Sequence, residues 1–127
     1  MGEVIAALFG TVLGIAVLGY AFMVYREISS LPEGSDKMKE IASAIHEGAM
    51  VFLKREYRII GIFVAVVFVL LGLFISWNTA VAYIAGAFCS MTAGFFGMKS
   101  ATKANVRTAH AASSEGQGKA LTVAFKG

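Results

Sequence analysis

The run Ile59-Ile60-Gly61-Ile62-Phe63-Val64-Ala65-Val66-Val67-Phe68-Val69-Leu70-Leu71-Gly72-Leu73-Phe74-Ile75-Ser76 contains no charged side chain. As a helix rising 1.5 Å per residue, it is long enough to cross a hydrocarbon core of roughly 30 Å. Gly61, Ala65 and Gly72 are its only glycine and alanine residues, so most of this span is expected to face lipid. The composition agrees. Hydrophobic residues make up 57% of the 127 and charged ones 15%, and the mean hydropathy is +0.73. A soluble domain of this size would need far more polar surface.

Upstream of this span, Lys54, Arg55 and Arg58 interrupt the apolar pattern where a helix would meet headgroups, and they read as snorkelling anchors. Ile41, Ile45, Gly48, Ala49, Phe52 and Leu53 recur at helical spacing opposite Glu40, Ser43, Glu47 and Lys54, which predicts an amphipathic helix. Ser35 is placed to cap it, with Asp36 in its first turn. Nothing between Phe52 and Ile59 breaks a helix, so the amphipathic part is expected to continue into the span as one rod. Leu31-Pro32-Glu33-Gly34 holds the only proline and signals a turn.

A further uncharged run, from about Val4 to Tyr25, predicts a first transmembrane helix. Ala6, Gly10 and Gly14 lie on one of its faces, as a helix-packing surface requires. Its N-terminus lacks the positive region of a signal peptide, and Ala6 stands where a myristoylation signal wants Ser or Thr. A third span is expected over about 79–98, joined to the second by the short connection Trp77-Asn78. Its stripe Ala82, Gly86, Ser90 and Gly94 predicts burial between neighbouring helices. Lys99, Lys103 and Arg107 extend the four-residue period as a solvated basic face. The small, polar segment from Thr108 to Gly118 is expected to fray into a loop. Lys119 to Gly127 reads as the start of a fourth helix that the chain does not finish.

The expectation is therefore an all-α integral membrane bundle of about three transmembrane helices plus the beginning of a fourth. The spans fall near 4–25, 59–77 and 79–98, a loop and amphipathic helix near 26–58, and the last helix starts at 119. All 11 Lys and Arg fall after the first span or after the third. The positive-inside rule makes those segments cytoplasmic and puts the N-terminus outside.

Little chemistry accompanies this architecture. No phosphate-cradling glycine loop with its lysine is present, and Cys89 is the only cysteine. His46 and His110 are isolated and lack metal-ligand spacing. No ionisable carboxylate or amine lies inside the three spans, where an ion-coupled carrier would place one, which argues against a small proton-coupled exporter or a rotary-ring subunit. Glu33, Asp36, Glu40, Glu47 and Glu56 are interleaved with basic residues and read as a solvated face, not a magnesium site. Nucleic-acid binding does not follow from the net charge of +3.

A resemblance enters at two places. Gly34-x-x-x-Met38 followed by Ile41-Ala42-x-x-Ile45-x-x-Gly48-Ala49-x-x-Phe52-Leu53-x-Arg55-x-Tyr57 resembles the first cytoplasmic loop and second helix of membrane-bound, ion-translocating pyrophosphatases. Gly97-Met98, Ala104-Asn105-Val106-Arg107-Thr108-Ala109 and Lys119-Ala120-Leu121-Thr122-Val123-Ala124-Phe125 resemble that family's third and fourth helices. The resemblance implies that residues 1–127 form the N-terminal segment of a larger pump in the cell membrane. Such a pump couples cytoplasmic pyrophosphate hydrolysis to outward sodium or proton transport.

It further implies magnesium for the parent enzyme, with potassium left open, and a homodimer. This segment would contribute scaffold helices that pack on the remaining helices of the subunit. The family's aspartate-rich motifs are not in this sequence, so no residue here is expected to be catalytic, to bind a cofactor or to ligate metal. Two alternatives stand beside this reading. One is a complete small membrane protein with an assembly role and no catalysis, and the other a remnant without function.

Overall fold

The computed structural model describes residues 2–127, and among these every regular element is an α-helix. α1 runs Gly2–Ser30, α2 Asp36–Phe74, α3 Trp77–Ser114 and α4 Gln117–Lys126. The first three are long and apolar enough to cross a membrane. Exposure of their large side chains, such as Phe9, Leu18, Ile62 and Phe88, is the pattern expected of helices whose solvent is lipid.

Helix ends follow local chemistry. α1 continues beyond the apolar run to Ser30, whose hydroxyl donates to the Glu27 carbonyl, and it stops just before Pro32. Ser35 caps α2 as its sequence position suggested, accepting from the Met38 amide at 3.4 Å. α2 is unbroken for 39 residues, so the amphipathic and apolar parts do form one helix.

Two boundaries depart from the sequence reading. The second connection is Ile75-Ser76, not Trp77-Asn78, because Ser76 is the better cap. Its Oγ accepts from the Thr79 amide at 3.2 Å and lies 2.8 Å from Thr79 Oγ1. Trp77 thereby opens α3. The segment after Arg107 does not fray at once but stays helical through Ser114, as its alanines favour. Ser113 and Ser114 both donate to the His110 carbonyl. The break comes at Gly116, whose φ of 89° belongs to the left-handed region that glycine tolerates.

The chain divides into two compact units. One comprises Met1–Met38 with Lys103–Gly127, and the other Lys39–Thr102. In the first, Ala111, Ala120 and Val123 form a small apolar cluster with Leu31 packed against it, so α4 is held to the end of α3 by its own apolar stripe. Within the second, Tyr57 donates its hydroxyl hydrogen bond to the Met91 carbonyl, and Phe68 meets Trp77 edge-on with ring centroids 6.0 Å apart.

The sheltered face of the amphipathic segment also differs from expectation. Ala42, His46, Ala49, Met50 and Leu53 are its sheltered positions, while Ile41, Ile45 and Phe52 remain exposed. A polar tether contributes to this facing. His46 Nδ1 lies 3.0 Å from Thr102 Oγ1, on the His46 side of the helix and not on the isoleucine side.

Candidate functional site

The densest polar constellation lies in the first unit and is centred on Arg107. Its side chain is only 5% exposed, which an arginine tolerates only when its donors are satisfied. Nε donates to the Leu31 carbonyl at 3.0 Å and Nη1 to the Lys103 carbonyl at 2.8 Å. Nη2 donates to the Ser29 carbonyl at 3.2 Å and to Glu33 Oε1 at 2.8 Å. The planar guanidinium thus spans the Ser29 carbonyl in the last turn of α1, the Leu31 carbonyl just beyond the helix and the Glu33 carboxylate.

The neighbours of Arg107 strengthen this junction. One turn earlier, Lys103 donates from Nζ to Ser29 Oγ at 3.3 Å and stands over the Tyr25 ring, 4.9 Å from its centroid. Positive charge at the C-terminal end of α1 also complements the helix dipole. Lys126 of α4 reaches Glu27 Oε1 at 2.6 Å. Gly34, at φ 83°, lets the chain turn beneath His110, whose ring leaves no room for a β-carbon there. A shallow recess lined by Leu31, Pro32, Arg107, His110, Ala111, Glu115, Lys119 and Val123 completes the region.

This arrangement corrects the reading of Lys103 and Arg107 as a solvated basic face, since both are bonded into the protein. Sequence reasoning missed Arg107 as the centre of a junction. Its only signal was a cation one turn after Lys103, indistinguishable from an interfacial lysine without the partner Glu33 in view. Glu33 is engaged with Arg107. Among the described residues, no group of three or more His, Cys, Asp or Glu is placed to hold a metal ion. His46 is bonded to Thr102, and His110 faces Gly34.

Chemically, the Arg107 junction neutralises charge and ties α1, α3 and the intervening loop together. Together with the three apolar helices, it defines an integral membrane helical protein in which one ion pair with a buried arginine, Arg107–Glu33, and one exposed pair, Lys126–Glu27, link helix ends.

Comparison with known proteins gives the family. Residues 15–127 match the family described as Inorganic H+ pyrophosphatase, and the chain belongs to it. A protein of Clostridium tetani, provisionally named as a K(+)-stimulated pyrophosphate-energized sodium pump, is 49% identical over 94% of this chain and 18% of its own length. The K(+)-stimulated pyrophosphate-energized sodium pump of Thermotoga maritima is 43% identical over 97% of this chain and 17% of its own. The K(+)-insensitive pyrophosphate-energized proton pump of Methanosarcina mazei is 44% identical over 90% and 17% respectively. The chain therefore spans less than a fifth of the length of these relatives.

Proposed function

We propose that this chain is the N-terminal transmembrane segment of a pyrophosphate-energised cation pump, supplying scaffold helices for a catalytic site built elsewhere in the same subunit. The observation that carries the reading is the family match over residues 15–127, which falls on a chain with three membrane-length helices. The polar side chains described above are consumed in holding helices together, as a scaffold requires.

In this reading the Arg107 junction and the amphipathic start of α2 lie on the cytoplasmic side, with the N-terminus outside, an orientation that the distribution of Lys and Arg favours. Pyrophosphate hydrolysis would use magnesium held by residues beyond this segment, with metal-activated water attacking the phosphoanhydride. Sodium or protons would leave on the outer side. The remaining helices of the subunit would cover α1 and α3 along their small-residue faces, and a second copy of the subunit would complete a homodimer.

The test uses inverted membrane vesicles containing the protein expressed from its whole reading frame. Magnesium pyrophosphate should be hydrolysed and should build a sodium or proton gradient, read with ion-selective dyes. Membranes carrying residues 1–127 alone should show no hydrolysis above background. Hydrolysis by the segment alone would overturn its scaffold role, and an inactive full-frame protein would overturn the pump assignment.

A further inference from the structure

In the second unit, α2 has two contrasting faces where its apolar run begins. Leu53 is buried, and Tyr57, Ile60 and Val64 continue a sheltered line, with Tyr57 bonded to Met91. Lys54, Arg55 and Arg58 are exposed. Arg58 stands four residues after Lys54 and three after Arg55, so the three cations are helical neighbours and repel one another.

No carboxylate relieves that repulsion. Glu56 is the acidic residue nearest in sequence, but its helical neighbours three and four residues away are Phe52, Leu53, Ile59 and Ile60. α3 contains no acidic residue at all. Among the described residues, the ion pairs of Glu33 and Glu27 go to Arg107 and Lys126, and none of the three cations has a bonded partner. The contrast with Arg107 and Lys103 is direct, since those cations are consumed by internal bonds.

The same exposed face continues into large apolar side chains. Ile59 and Ile62 follow Arg55 and Arg58 by four residues each, and Phe63 and Val66 come one turn further on. All four are exposed. A cluster of uncompensated cations followed at once by an apolar ridge matches a molecule with an anionic head and long acyl chains.

We propose that Lys54, Arg55 and Arg58 form a binding site for an anionic phospholipid. Its phosphate lies among the three cations, and its acyl chains run along Ile59, Ile62, Phe63 and Val66. The two arginines present planar donors suited to a phosphate, and Lys54 adds a third positive charge. The site depends on the chain lying in a bilayer and not on the pump activity, so the two can fail separately.

The experiment is native mass spectrometry of detergent-purified protein expressed from its whole reading frame, titrated with phosphatidylglycerol or phosphatidylcholine of matched chains. The expected preference for phosphatidylglycerol is about tenfold or more, since each cation near an anionic headgroup contributes on the order of a fivefold gain. The combined variant K54Q/R55Q/R58Q should abolish the preference, R55K/R58K should keep part of it, and Lys37→Gln should leave it intact.

A readout on the unaltered protein guards against misfolded variants. Raising sodium chloride from about 0.1 M to about 1 M should weaken the preference severalfold, because the screening length falls to about 3 Å. Equal retention of both lipids, a preference unmoved by salt, or one unmoved by the triple substitution would overturn the site. Displacement by millimolar inorganic phosphate as effective as by phosphatidylglycerol would assign the cations to free phosphate instead. A preference absent from the full protein but gained when neighbouring helices are removed would assign this face to those helices.

Discussion

Arg107 Nη2 lies 2.8 Å from Glu33 Oε1 while the same nitrogen donates to the Ser29 carbonyl at 3.2 Å, so one buried cation closes the end of α1 and anchors the loop that follows it. The two partners are not equivalent. Glu33 keeps 44% of its side chain exposed and can return to water, whereas Arg107 at 5% cannot. Arg107→Ala should therefore destabilise by about 2–4 kcal/mol, as it orphans several carbonyls at once. Glu33→Gln should cost about 1 kcal/mol or less. Thermal unfolding in detergent checks both, and the Glu33→Gln effect should largely vanish in the Arg107→Ala background.

A second prediction concerns Gly94. A β-carbon there would sit 3.0 Å from the Tyr57 hydroxyl, which is held by its bond to Met91. Alanine in place of helical glycine otherwise gains about 1 kcal/mol. Gly94→Ala should lower stability in the native background and raise it in Tyr57→Phe, where the obstructing oxygen is gone. The same sign in both backgrounds would refute the tethered contact.

Gly34 and Gly116 separate backbone strain from crowding. Both have positive φ, 83° and 89°, but the space around Gly116 is open while a β-carbon at Gly34 would meet the Met38 sulfur and His110 Nδ1. Gly116→Ala should cost about 1–3 kcal/mol, the strain of a φ 89°, ψ 174° backbone that is essentially restricted to glycine. Gly34→Ala should cost more, and His110→Ala should recover only part of the difference. Unfolding midpoints of Gly116→Ala, Gly34→Ala, His110→Ala and the Gly34→Ala/His110→Ala double variant provide the comparison.

The His46 contact fixes a proton. Thr102 has one hydroxyl hydrogen, and the carbonyls of Met98 and Lys99 lie 3.0 and 3.2 Å from its oxygen to receive it. With its proton given to those carbonyls, the oxygen accepts from His46 Nδ1–H at 3.0 Å. Neutral His46 should show the Nδ1-protonated tautomer in its nitrogen chemical shifts, and Thr102→Val should shift the population toward Nε2-protonated imidazole.

The apolar runs made the three long helices legible, because a charge-free stretch of that length has few alternatives. Ser35 and the unbroken path from Phe52 to Ile59 were equally plain, being local features. What escaped was contact-dependent. Apolar periodicity grouped Ile41, Ile45, Gly48, Ala49, Phe52 and Leu53 on one face of the amphipathic segment, and of these only Ala49 and Leu53 are sheltered. The sheltered line instead includes His46, whose partner Thr102 lies 56 residues away.

Arg107 was hidden for the same reason. Its sequence neighbours allow a solvated lysine-like role, and only the return of Ser29 and Leu31 beside it turns surface charge into buried charge. The second connection was misjudged by a residue or two, since Trp77 looks interfacial until Ser76 is seen capping the helix that begins with it. The composition of the spans points to a membrane and the ordered motifs to a family, without showing a site.

The two-residue link Ile75-Ser76 constrains how the protein is made. With only two residues between α2 and α3, and with the Trp77 ring lying over Gly72, the apolar parts of the two helices are expected to enter the bilayer as one hairpin. Insertion of either helix then depends on the other, and a charge introduced into the apolar part of one is expected to lower the membrane insertion of both.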